Sequence, residues 1–247
     1  MSPGRISMRM GLSIVVATFL VISAAASQFD PRPFRAANHI VMAARLLQPT
    51  EQWNGIAYTE NGTKYAVTSW GSSCAVSKSG YLLTNNHVVP ADQIILVGGW
   101  SDGSKLVHGS VEKRDEKDDL ALIKVEPPNE IAYLTRFTSS AGLLEGQDIF
   151  VWGYLQIPGG FVQFLRRGIV SMNTPIEGFQ HYLYIETSAS FGTSGSPVFT
   201  QPDGQVIGLV SLAITLPSGL PLPAGILGVI PGERVSEFLK AGGVPGY

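Results

Sequence analysis

After Pro49 the chain breaks into short β-type runs, among them KYAVTSW, YLLTN, QIILVG, LALIKV, DIFVWGY, YLYIE and QVIGLVSLAI. Each is closed by Gly, Asn, Asp, Ser or Pro. Short strands with frequent turns point to a sandwich or a barrel, and there are enough of them for two small barrels in one all-β domain. The composition agrees: 45% of the 247 residues are hydrophobic and 15% charged, and 28 Gly with 16 Pro suit turns better than long helices. Two segments keep a helical spacing. In FRAANHIVMAARLLQ, Ile40, Val41, Ala44 and Leu47 predict a short amphipathic helix over 34–48. In GERVSEFLKA, Val235, Phe238 and Leu239 predict a docking helix over about 233–241.

The first 30 residues have a different texture. Arg5 and Arg9 precede an apolar run from Leu12 to Ile22 and the small-residue exit SAAAS, the pattern of a secretory signal peptide cut after Ala26. The run is short against the ~20 residues that span a bilayer, so membrane contact is expected only through this segment, if it stays uncleaved. A secreted or periplasmic location follows. Cleavage takes Lys+Arg from 17 to 15 against 19 Asp+Glu, and the formal charge from −2 to −4. That balance argues against a nucleic-acid partner, which would want a basic face. The single cysteine, Cys74, allows no intramolecular disulfide and is expected as a small buried hydrophobe in SCAVS.

Of the four histidines, His87 has the suggestive setting: it follows the strand-like GYLLT in TNNHVV, where a chain leaving a strand can present an imidazole to a cleft. His39, His108 and His181 form no metal-ligand spacing with it, and no metal site is expected. Among the acids, Asp119 abuts the apolar strand LALIKV, where a half-buried carboxylate needs a partner such as an imidazole N–H; Asp118 is its local competitor. Ser194 lies in GTSGS. Gly192 and Gly195 permit unusual backbone dihedrals there, and the N–H groups of Gly192 and Ser194 could converge on a developing oxyanion. Ser188, Ser190 and Ser196 compete with it in the same stretch. The order His, Asp, Ser differs from the Ser, Asp, His order of α/β-hydrolases, and residue 196 breaks the G-x-S-x-G elbow.

On these residues the sequence resembles the trypsin-like serine peptidases, in particular their HtrA/Deg-type branch. GSSCAVSKSGYLLTNNHVV (71–89), DDLALIKV (118–125) and GTSGSPVF (192–199) are similar to that branch's three active-site segments, and the likeness extends over roughly 65–240. The resemblance implies a chymotrypsin-like fold of two six-stranded antiparallel β-barrels with the active site between them, flanked by the short N-terminal and C-terminal helices. The barrels fall at about 51–136 and 140–232, after a helix and linker over 27–50. It implies His87 as general base, Asp119 as the group that orients it, Ser194 as nucleophile, and the Gly192 and Ser194 amides as oxyanion hole. A substrate would meet Ser188, Ala189 and Ser190 before the nucleophile, and pair with the backbone of Val210, Ser211 and Leu212 by strand addition. Thr193 and Ser196 depart from the more frequent Asn and Gly of the turn. With the chain ending at Tyr247, no PDZ domain is expected. The expected activity is a serine endopeptidase acting on proteins or peptides without a cofactor; the alternative is a catalytically inactive domain of the same fold that binds them.

Overall fold

The computed structural model describes residues 30, 32–100, 103, 105–158, 160–175, 181–188, 192–211, 223 and 225–247. The expected leader over 1–26 lies outside them. Among the described residues a four-residue helix, α1 (Arg32–Arg35), is followed by β1 (Asn38–Leu46), β2 (Ala57–Glu60), β3 (Thr63–Ala75), β4 (Tyr81–Thr84), β5 (Ile94–Gly98), β6 (Val107–Asp115) and β7 (Leu120–Val125). A second group comprises β8 (Asp148–Ile157), β9 (Gly160–Met172), β10 (Leu183–Glu186), β11 (Pro197–Thr200), β12 (Val206–Ser211) and β13 (Ile226–Pro231), and α2 (Gly232–Ala241) closes the chain.

Both groups close on themselves. In the first, the order β1-β5-β6-β7-β4-β3 returns to β1 through a β1–β3 pairing, with β2 as an extra strand beside β3. In the second, the closed order is β10-β13-β12-β11-β8-β9. Closure leaves no free sheet edge within either ring and gives each strand an inward face. Val41, Ala43, Leu82, Ile95, Val97, Ala121 and Ile123 fill the first interior. Ile149, Val151, Ile185, Val198, Ile207, Val210 and Val229 fill the second. The two six-stranded antiparallel barrels and the C-terminal helix are those expected of a chymotrypsin-like fold.

The segment expected as a helix over 34–48 is instead a strand, and the first barrel starts at Asn38 rather than near residue 51. β1 pairs on one side with β3 and on the other with β5. Its inward side chains, Val41 and Ala43, enter the barrel interior, while Ile40, Met42 and Ala44 pack outward with Val67, Leu96 and Tyr154. A strand covered on both faces shows a continuous apolar run, which matches helical periodicity as well as it matches β.

A third cluster joins the barrels. Cys74, Leu83, Leu120 and Leu122 of the first meet Trp152, Phe199, Leu209 and Ile230 of the second, and Val235, Phe238 and Leu239 of α2 pack into the same cluster. Cys74 is fully buried and unpaired, and burial pushes its thiol pKa upward.

Candidate active site

β4 ends at Thr84, and a single 3₁₀ turn over Asn86–Val88 carries His87 off the strand. The turn is held by the residue that faces the imidazole. The Asp119 backbone carbonyl accepts the Asn86 N–H at 3.1 Å and the Asn85 side-chain amide at 3.0 Å. Asp119 itself stands at φ +52, a left-handed conformation that a short polar side chain tolerates. In that pose its Oδ1 accepts the His87 N–H at 3.0 Å, and its Oδ2 lies 2.8 Å from His87 Nδ1. A carboxylate facing Nδ1 keeps the proton there and leaves Nε2 as an acceptor. Nε2 lies 3.0 Å from Ser194 Oγ, across 107 residues of sequence. Ser194 is 4% exposed.

The competitors fall elsewhere. Arg234 of α2 takes both oxygens of Asp118, with Nε 3.0 Å from Oδ2, so Asp118 ties the helix to the first barrel. His108 pairs with Glu60 at the surface, 2.8 Å away. His39 is buried in β1. The His181 carbonyl accepts from Arg234 at 2.8 Å.

The Ser194 turn depends on two glycines at positive φ, Gly192 at +98 and Gly195 at +82. A Cβ on Gly195 would stand 1.9 Å from the Ser72 carbonyl oxygen, so no other residue fits. The Gly195 N–H donates to the Val210 carbonyl and the Val210 N–H to the Ser196 carbonyl, both at 2.9 Å. Among the described residues no backbone carbonyl accepts from the Gly192 or Ser194 N–H group. Ser196 is fully buried, and a Cβ on Gly153 would stand 2.1 Å from its Oγ. The bare Gly153 makes the space that this less frequent residue needs.

Of the residues expected to meet a substrate, Ala189, Ser190 and Leu212 lie outside the described residues, and Ser188 is exposed beyond the end of β10. Val210 is a correction. Its side chain belongs to the second barrel's interior, and both of its backbone groups are used on residues 195 and 196, so it has no backbone pairing left for a substrate. The Ser211 hydroxyl donates to Asp119 Oδ2 at 2.5 Å, so this side chain supports the acid rather than a substrate. Nothing local in LVSLA marks that role, because its partner is 92 residues away. Among the described residues no cluster of His, Cys, Asp and Glu could hold a metal ion, and no helix is long and apolar enough to cross a membrane.

Comparison with known proteins places this arrangement in context. A family model described as the trypsin-like peptidase domain matches residues 71–209, a span that contains His87, Asp119 and Ser194. The chain is 34% identical over 189 residues to the "Probable periplasmic serine endoprotease DegP-like" of Pseudomonas fulva, covering 74% of this chain and 37% of that protein. It is 35% identical over 183 residues to mouse "Serine protease HTRA4", covering 70% and 34%. It is 29% identical over 192 residues to the "Magnetosome formation protease MamE" of Paramagnetospirillum magneticum, covering 75% and 25%. The chain thus spans between a quarter and two fifths of the length of these curated relatives.

Proposed function

The chain belongs to the trypsin-like peptidase domain family, and from that premise we propose that it is an exported serine endopeptidase whose triad is His87, Asp119 and Ser194. The observation that carries the reading is the continuous bridge from Asp119 Oδ2 through the imidazole to Ser194 Oγ, at 2.8 and 3.0 Å. His87 Nε2 takes the hydroxyl proton as Oγ attacks the scissile carbonyl carbon. The carbonyl oxygen gains negative charge and is received by the Gly192 and Ser194 N–H groups. The tetrahedral species collapses when His87 returns the proton to the leaving amine. A water then attacks the acyl-enzyme, with His87 again as base, and restores Ser194. Asp119 orients the imidazole through Nδ1 and stabilises the imidazolium that forms twice in the cycle.

Two further parts belong to this reading. The apolar leader over 1–26, together with the relative from Pseudomonas fulva named as periplasmic, supports export. The mature peptidase domain comprises both barrels and α2, with β1 included. Its substrates are proteins or peptides.

The test is a biotinylated diphenyl phosphonate, which reacts only with an activated serine. Labelling at Ser194, mapped by mass spectrometry and lost in His87→Ala, is the expected outcome. Folded protein that takes up no label would instead support a domain that binds peptides without cleaving them.

A further inference from the structure

We propose that Ser72 and Arg166 are positioning residues that clamp the nucleophile turn from the two barrels, holding Ser194 and the neighbouring amides in register with His87. The inference rests on the peptidase reading above. Its physical motive lies in the turn itself: Gly192 and Gly195, both at positive φ, have the widest conformational freedom of any residue type. A turn of this kind keeps one geometry only where its surroundings over-determine it.

Ser72, on β3 of the first barrel, is fully buried. Its hydroxyl accepts the Tyr154 N–H at 2.8 Å and donates to the Gly192 carbonyl at 2.7 Å. The single hydroxyl proton is thereby committed to one acceptor. The Ser72 N–H donates to the Ser194 carbonyl at 2.7 Å, so one residue grips both ends of the Gly192–Ser194 segment. The Ser72 carbonyl accepts from Thr84 Oγ1, also at 2.7 Å, at the end of the strand that leads to His87. Base and nucleophile are therefore referred to the same residue.

Arg166, on β9 of the second barrel, closes the other side. Its Nη1 donates to Thr193 Oγ1 at 2.7 Å, and its guanidinium lies on the face of Phe164, 3.9 Å from the ring centroid. Thr193 is fully buried and stands between the two residues whose amides face the oxyanion. Burial lowers the Arg166 pKa to about 10, which still leaves it a cation at neutral pH. Stacking on Phe164 restricts the guanidinium plane and directs its hydrogen bond.

The experiment uses the full chain and compares Ser72→Ala, Arg166→Gln, Arg166→Lys, Thr193→Val and the Arg166→Gln/Thr193→Val pair. Arg167→Gln, which alters an exposed arginine paired with Asp148, is the control. Phosphonate labelling of Ser194, kcat and KM on a fluorogenic peptide, and the thermal midpoint are measured for each. Displacing reacting groups by about an ångström costs on the order of 100-fold. The clamp therefore predicts kcat losses of about 10- to 100-fold for Ser72→Ala, Arg166→Gln and Thr193→Val, with KM within about twofold. Arg166→Lys should recover part of the loss, the paired variant should be no worse than its worse single, and Arg167→Gln should match wild type. Should Ser72→Ala fail to fold, the Arg166 and Thr193 variants decide the outcome. Folded variants with wild-type kcat, a loss confined to KM, or additive losses in the pair would overturn the clamp while the peptidase reading stood. A folded wild type that takes no label would remove both.

Discussion

A serine hydroxyl becomes a nucleophile only while a base holds its proton, so each atom of the bridge from Asp119 to Ser194 has its own expected cost of removal. Ser194→Ala or His87→Ala should lower peptide hydrolysis by about 10⁶-fold, and Asp119→Asn by about 10⁴-fold, since the amide favours the wrong imidazole tautomer. Ser211→Ala removes one hydrogen bond to the carboxylate and should cost about tenfold, the scale of a bond to a charged group. Steady-state assays of the four variants on one peptide substrate check this order. The three bridge residues each sit in a short local setting (a strand end, an acid against an apolar run, a glycine-flanked turn) that fits a structural role equally well, and what singles them out in the sequence is their order and the likeness of their segments to one family. Ser72, Arg166 and the acid-supporting part of Ser211 were not legible. Their hydrogen bonds cross 120, 27 and 92 residues and leave no pattern at either end. The pairing of Val210 is hidden for a related reason, since a backbone group already used on a neighbouring turn looks identical in sequence to a free one.

At the scale of single elements, β1 carries the main correction. A protein beginning at residue 51 would lack the strand that joins β3 to β5, leaving two sheet edges unpaired and the first interior open. It should fail to give cooperative thermal unfolding by circular dichroism, whereas a chain beginning at residue 30 should give it. β1 also carries a pH dependence. Burial pushes the His39 imidazole from 6.5 down to about 4, against a smaller opposing effect of the Gly98 backbone. The unfolded state then binds more protons than the native one between these values. His39 therefore leaves stability intact above pH 6.5, and its neutral burial costs a growing share, up to ~3 kcal/mol, as pH falls toward 4. His39→Phe, which keeps a ring against Trp100, should flatten urea-unfolding stability across that pH range. Elements with one wet face were easier to read: the apolar stripe of Val235, Phe238 and Leu239 announced α2, and the helix spans Gly232–Ala241.

For the molecule as a whole, the count of short β-type runs pointed to two barrels, and the order in which strands close each ring could not be read from it. Closure is set by pairings such as β1 with β5 and β10 with β13, between segments separated by other strands. A cluster shared by both barrels should couple their unfolding. Phe238 is buried there, and Lys113 of β6 places its Nζ 4.7 Å above the ring and donates to the Phe238 carbonyl at 3.2 Å. Phe238→Ala should cost about 3–5 kcal/mol and lower the midpoint of one transition rather than split it in two, as calorimetry would show. The same seam holds Cys74, the chain's sole sulfhydryl. Sealed at 0% exposure and kept protonated, it is out of reach of a thiol-reactive dye while the halves stay joined. The native chain thus contains a silent chemical clock: a fluorescent maleimide, which adds to the thiol once and irreversibly, would mark each molecule when its two lobes first part, without any engineered tag.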